Sequence, residues 1–202
     1  MRVVNILIAS VGGQGGLTLS RAMAIAAVLS GYSVRTGETL GMSQRFGSVV
    51  SYVRIGDWVL SPLFPPGEAH YLLGLELVEV LRNVHYASPE TVVVVDPLLK
   101  PPLSSSLGYA ERVRRTELLE KLRSLVPRVI EVPAQKIAEE AGSRKAANIV
   151  LFGVLNAVAD LFSDSVAEKA IMYVLAGRRW GASVRAYRLG KKFALKRGLH
   201  KL

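Results

Sequence analysis

Residues 3–16 read Val-Val-Asn-Ile-Leu-Ile-Ala-Ser-Val-Gly-Gly-Gln-Gly-Gly, and a helix-compatible stretch, Leu17–Ser30, follows at once. An apolar β-branched run, a glycine turn and a helix in that order open a β-α-β unit. Glycine permits a positive φ and a close backbone approach. The helix behind the turn directs unpaired N–H groups and the positive end of its dipole at whatever lies above it. Such a turn either seats a phosphate or carboxylate or lets helix and strand pack closely. It is not the dinucleotide fingerprint, because Gly13 and Gly15 occupy the first two glycine places and Thr18 the third.

The rest of the chain continues the alternation. Strands are expected at Val3–Ala9, Ser33–Thr36, Ser48–Ile55, Ala69–Leu75, Thr91–Val95 and Arg128–Val132. A polar loop is expected at 37–45, and Gly56-Asp57 reads as a hairpin turn into Trp58–Leu60. The valine-rich Thr91–Val95 suits a strand buried on both faces. Helices are expected after Leu75 and over Glu111–Leu125, Pro133–Ala141, Lys145–Phe162, Ser165–Leu175 and Gly181–Arg197. The pattern predicts a three-layer, doubly wound, Rossmann-like α/β fold. Its sheet is mainly parallel with an antiparallel hairpin member. Ligands of such sheets lie beyond the carboxyl ends of the strands, where the loops at 10–16 and 37–46 belong.

Composition removes several function classes. The 202 residues contain no cysteine, which excludes disulfides, cysteine-ligated metal, iron–sulfur ligation and a cysteine nucleophile in this chain. The longest apolar stretch, 146–159, is interrupted by Asn148 and Asn156 and is too short for a membrane span. The amino terminus lacks a clean signal-peptide pattern, and a cytoplasmic location is expected. Few Asn and Gln with many Arg suit a thermophile. His70, His85 and His200 lack metal-ligand spacing, so no metal site is expected.

The net charge of +10 is unevenly placed: ten Lys and Arg and no acid follow Glu168. A basic helical segment, about 165–202, therefore carries the excess. Ala182, Ala186, Leu189 and Phe193 give it an apolar face, with Arg185, Arg188, Lys192 and Lys196 opposite. Its cations are open to three readings: an acidic partner, nucleic acid, or water alone. No nucleic-acid motif or stacking pattern accompanies them.

The second loop reads Gly-Met-Ser-Gln-Arg-Phe-Gly-Ser-Val-Val-Ser-Tyr-Val-Arg-Ile-Gly over 41–56. Ser43 and Gln44 offer neutral hydrogen bonds, and Arg45 can bind a carboxylate or phosphate with both arms of its fork. Together with Val-Gly-Gly-Gln-Gly-Gly and the later Ala147-Asn148-Ile-Val-Leu-Phe-Gly-Val-Leu, this loop resembles the gamma-type domain of 2-oxoacid:ferredoxin oxidoreductases. The resemblance is greatest to the beta subunits of the indolepyruvate enzymes. The likeness covers most of the chain, so residues 1–202 are expected to form one such domain. Phe46 departs from the pattern, which usually has a glycine there.

The resemblance implies oxidative decarboxylation of a 2-oxo acid to an acyl-CoA with reduction of ferredoxin. It implies that thiamine diphosphate and iron–sulfur clusters belong to a larger catalytic subunit, so that this chain binds neither and is inactive alone. The thiamine signature, GDG followed by a distant NN, is indeed missing. The resemblance leaves coenzyme A as a ligand of the shared site, with Gly12, Gly13, Gln14, Gly15, Gly16, Ser43, Gln44 and Arg45 as contact candidates. No catalytic residue is expected here, and neither nucleic acid nor membrane is an expected partner. Two other readings stay open: the gamma subunit of a pyruvate or branched-chain enzyme, and a stand-alone nucleotide-binding module.

Overall fold

The computed structural model describes residues 2–41, 47–100, 114–176 and 180–199. Six strands form one sheet in the order β2-β3-β1-β4-β5-β6. They are β1 (Val4–Val11), β2 (Ser33–Leu40), β3 (Ser48–Gly56), β4 (Ala69–Gly74), β5 (Ala87–Val95) and β6 (Arg128–Glu131). The pairs β1/β4, β4/β5 and β5/β6 are parallel, whereas β3 runs antiparallel to both β1 and β2. The helices are α1 (Gly16–Leu29), α2 (Leu77–Arg82), α3 (Arg115–Leu125), α4 (Ala134–Glu140), α5 (Ala147–Ala159), α6 (Asp164–Val174) and α7 (Trp180–Lys196).

Alternation along the strands builds two cores. Ile6, Ile8, Val53, Ile55, Val92 and Val94 face α1, α4, α5, α6 and α7. Leu7, Tyr52, Leu72, Val93 and Val95 face the thinner layer of α2 and α3, closed by Phe64. Val92 to Val95 are at most 2% exposed, as a strand sandwiched between layers requires. The three-layer, doubly wound arrangement follows.

The hairpin lies elsewhere than the turn residues suggest. Gly56-Asp57 does not open a strand pair; instead β2 and β3 form the hairpin across residues 41–47. β2 runs on through Gly37, Glu38 and Thr39 to Leu40, because Ser51, Val50 and Val49 of β3 pair with its last three residues. Cross-strand pairing overrides a polar local sequence here. The segment after β3 folds back over the sheet instead. Arg54 donates from Nη1 to the carbonyls of Ser61 and Leu63 at 3.2 and 3.0 Å.

The basic helix is structural along one face. α7 buries Ser183, Val184, Ala186, Tyr187, Gly190 and Ala194, a seam shifted from the apolar face read in the sequence. The shift has a backbone cause. A Cβ on Gly153 of α5 would fall 2.1 Å from the Tyr187 carbonyl oxygen. One on Gly190 would fall 2.2 Å from the Val150 carbonyl oxygen. Two glycines let the helices cross at backbone contact, and a search for large apolar residues passes over them. Beside the crossing, the Tyr187 hydroxyl accepts from Asn156 Nδ2 at 2.7 Å and donates to Asp164 Oδ1 at 2.9 Å. Burial and the Asp164 charge push its phenol far above the usual tyrosine range.

Gly153→Ala drives a methyl group into the α7 backbone, and overpacking of this kind costs about 3 kcal/mol. The thermal midpoint should fall by roughly 6–12 °C for a chain of this size. An unchanged melting curve would show that the crossing yields freely.

Candidate functional site

The turn between β1 and α1 separates the work of its glycines. Gly13 (φ 92°) and Gly15 (φ 87°) both have left-handed backbones. A side chain at Gly13 would meet nothing within 4 Å among the described residues. A Cβ on Gly15 would strike Asn148 Nδ2 at 2.6 Å, and one on Gly16 would strike Ser10 Oγ at 2.5 Å. Gly16 therefore serves close packing, Gly15 serves packing and the turn, and Gly13 alone has no such neighbour. Among the described residues α1 has no side-chain cap, and its first turn carries no acid to oppose the positive end of its dipole.

Gln14 holds the turn together. Its Oε1 accepts from the Val11 N–H at 2.7 Å, and its Nε2 donates to the Leu75 carbonyl at 2.9 Å. It thus ties the carboxyl ends of β1 and β4, leaving one N–H of its head for anything else. Asn148, at the start of α5, donates to the Gly15 carbonyl at 2.9 Å. Neither staple is visible in a motif scan, although both residues lie in segments the sequence singles out.

The second loop returns to the same rim. Gly12 donates its N–H to the Gly47 carbonyl at 2.8 Å, and Gly41 donates to the Ser48 carbonyl at 3.2 Å. Both ends of the β2–β3 connection therefore stand beside the glycine turn. Ser43, Gln44 and Arg45 lie outside the described residues. Ser48 is anchored by Glu79 Oε2 at 2.5 Å, and Glu79 is held in turn by Arg82 at 2.7 Å. Glu79 is an anchor that sequence reading missed.

Beyond the turn opens a cleft of about 980 Å³, bordered by Gly13, Thr18, Asp96, Lys100, Arg144 and Lys145. Three cations thus line a hollow at the carboxyl ends of β1, β4 and β5, where doubly wound sheets place their ligands. Arg144 is steadied by Gln135 Oε1 and Glu139 Oε1, at 3.2 and 3.3 Å. Lys100 and Lys145 make no ion pair among the described residues. Lys100 follows β5 and Arg144 and Lys145 lie in a 3-10 turn before α5, so only the sheet topology brings them together.

Two acids lie below. Glu76 is fully buried and caps α2 by accepting from the Glu79 N–H at 2.8 Å, and it also accepts from the Lys100 N–H at 3.0 Å. Burial raises its pKa against these bonds. Asp96 is 4% exposed and is pushed up to about 6 by burial, offset in part by donors from Gln135, Leu98 and Ala134.

Glu38 does not take the place of a ribose-binding acid. It lies on β2, two strands from β1, and accepts from Ser20 Oγ at 3.3 Å. His70 is at the opposite rim, where its Nδ1 accepts from the Asn5 N–H at 3.0 Å; burial lowers its pKa. Among the described residues no group of three or more His, Asp or Glu is placed to hold a metal ion. Nor is any described helix long and apolar enough to cross a membrane.

A chain with this α/β sheet and stapled glycine turn matches a known family. The family model described as pyruvate ferredoxin/flavodoxin oxidoreductase matches residues 5–193. The chain belongs to that family. It is 38% identical to the indolepyruvate oxidoreductase subunit IorB of Archaeoglobus fulgidus, over 95% of this chain and 96% of the relative. To the protein of the same name from Thermococcus kodakarensis it is 35% identical, over 96% and 97%. Its fold is shared with the gamma subunit of a keto/oxoacid ferredoxin oxidoreductase from Geobacter sulfurreducens. That structure superposes with a TM-score of 0.70 and 22% identity, covering 96% of this chain and 99% of that one.

Asp96 makes the site sensitive to acidity. Its carboxyl is still protonated in the folded chain at pH values where the unfolded chain has ionised it, so folding takes up a proton between about 3.8 and about 6. The Asp96 contribution to stability therefore declines as pH rises through that window, by about 3 kcal/mol in all, and then levels off. Asp96→Asn should remove this decline, as read by chemical denaturation at pH 4.5 and pH 7. Equal pH slopes in the two proteins would exclude Asp96 as the cause.

Proposed function

We propose that this chain is the cofactor-free small subunit of a 2-oxoacid:ferredoxin oxidoreductase whose substrate is an arylpyruvate of the indolepyruvate kind. The complex converts a 2-oxo acid, coenzyme A and oxidised ferredoxin into acyl-CoA, carbon dioxide and reduced ferredoxin. Thiamine diphosphate and iron–sulfur clusters supply the decarboxylation and electron-transfer chemistry. They belong to a larger partner subunit, since this chain has no cysteine to ligate a cluster. The chain by itself is inactive.

One observation carries the reading of the site. The Gly12–Gly47 hydrogen bond, at 2.8 Å, brings the two polar loops to one rim, above an uncapped helix amino terminus and beside a cleft bordered by Lys100, Arg144 and Lys145. Coenzyme A is polyanionic, and its phosphates suit bare N–H groups and a cationic border. In this reading Gly13 lets the ligand approach the backbone, Gln14 and Asn148 hold the turn in shape, and Arg45 is a further cation for the same anion. The chain thus shapes the coenzyme A side of a composite site and performs no bond-making itself.

The complex reconstituted from both subunits tests this directly. Each charge-assisted contact to a phosphate is worth about 1.5–3 kcal/mol. Arg144→Ala combined with Lys145→Ala should therefore raise KM for coenzyme A at least about tenfold, with KM for the oxo acid and subunit assembly unchanged. Arg45→Ala should act in the same direction. An unaltered KM for coenzyme A in both variants would remove this rim from the site. A panel of aryl and short-chain 2-oxo acids decides between the indolepyruvate reading and that of a pyruvate or branched-chain enzyme.

A further inference from the structure

The cations of α7 are used unequally. Arg188 forms a two-pronged pair with Glu168, with both contacts at 2.6 Å, and Lys191 meets Asp164 at 2.5 Å. These pairs fasten α7 to α6. Arg185, Lys192, Lys196 and the following Arg197 are all exposed and make no ion pair among the described residues. Lys192 and Lys196, four residues apart, line one solvent face of the helix, whereas Arg185 Nε donates to the Ala141 carbonyl at 3.0 Å and Arg197 lies over the Phe193 ring at 4.3 Å. No acid occurs in the chain after Glu168 to balance them.

This surface is charged and poor in large apolar groups, with Leu195 the chief exception at 50% exposure. A permanent interface is apolar, with charge depleted from its centre. The loop after β3 has that character instead, with Trp58 and Leu60 each 75% exposed. A lysine-rich face suits a partner that arrives, reacts and leaves, steered by opposite charge.

Resting on the reading of the chain as part of a ferredoxin-reducing complex, we propose that the exposed face of α7, centred on Lys192 and Lys196, is the docking surface for a small acidic protein that accepts the electrons of the complex. The face draws the acceptor in and orients it, and the electrons pass from the partner subunit.

The test uses the reconstituted complex carrying Lys192→Glu and Lys196→Glu, two exposed substitutions remote from the cleft. Turnover is followed with an acidic ferredoxin and, separately, with a small uncharged dye as electron acceptor, at low and at high salt. The proposal expects KM for ferredoxin to rise about tenfold at low salt, the difference to vanish at high salt, and dye reduction to stay unchanged. An unchanged KM for ferredoxin overturns it. So does failure of the variant chain to assemble with its partner, which would place the partner subunit on this face. Absence of dye reduction in the unmodified complex would instead refute the oxidoreductase reading on which the proposal rests.

Discussion

The Gln14 carboxamide is the contact on which the rim depends. Its two hydrogen bonds, to the Val11 N–H and the Leu75 carbonyl, join the carboxyl ends of two neighbouring parallel strands through a single side chain. A turn with two left-handed glycines has many conformations open to it in the unfolded chain. Gln14 from within, and Asn148 from α5, select one of them. The outcome is a turn that is rigid yet bare, with nothing among the described residues within 4 Å of a side chain placed at Gly13. Bare backbone at a helix amino terminus attracts an anion only if nothing else has satisfied it, and among the described residues α1 has no side-chain cap.

The sheet topology sets that local arrangement beside a cationic cleft. Antiparallel β3, inserted between β1 and β2, brings the second polar loop back to the first by pairing Val11 with Ser48. The same insertion moves Glu38 away from the glycine turn and removes the geometry a dinucleotide site would use. On the parallel side, β5 and the turn before α5 deliver Lys100, Arg144 and Lys145 to the cleft. Charge is therefore divided within the molecule. One set of cations gathers at the rim, a second holds α7 to α6, and a third remains on the outer face of α7.

Much of this was legible in the residues. The strand–glycine–helix opening, the valine strand and the order of helices gave the layers, because burial on one or two faces leaves a period that can be read locally. The hairpin was misplaced for a physical reason. Gly56-Asp57 has turn chemistry, but the pairing partner of β3 is β2, whose polar Gly37-Glu38-Thr39 is extended only because Ser51 and its neighbours lie opposite. The packing seam of α7 was shifted for a related reason, since Gly153 and Gly190 act through the absence of a side chain. The glycine turn is legible as a strand-to-helix turn, whereas Gln14 and Asn148 show themselves as staples only when β4 and α5 are in place. Lys100, Arg144, Lys145 and Asp96 are scattered over fifty residues, and no local pattern links them.

In the proposed complex, the rim formed by the glycine turn and the β2–β3 connection faces coenzyme A. Hydrogen–deuterium exchange of the reconstituted complex, with and without coenzyme A, measures this directly. Added protection is expected in peptides covering 11–18 and 41–48, and none in the peptide around His70 at the opposite rim. Protection confined to the partner subunit, with both loops exchanging as before, would contradict it.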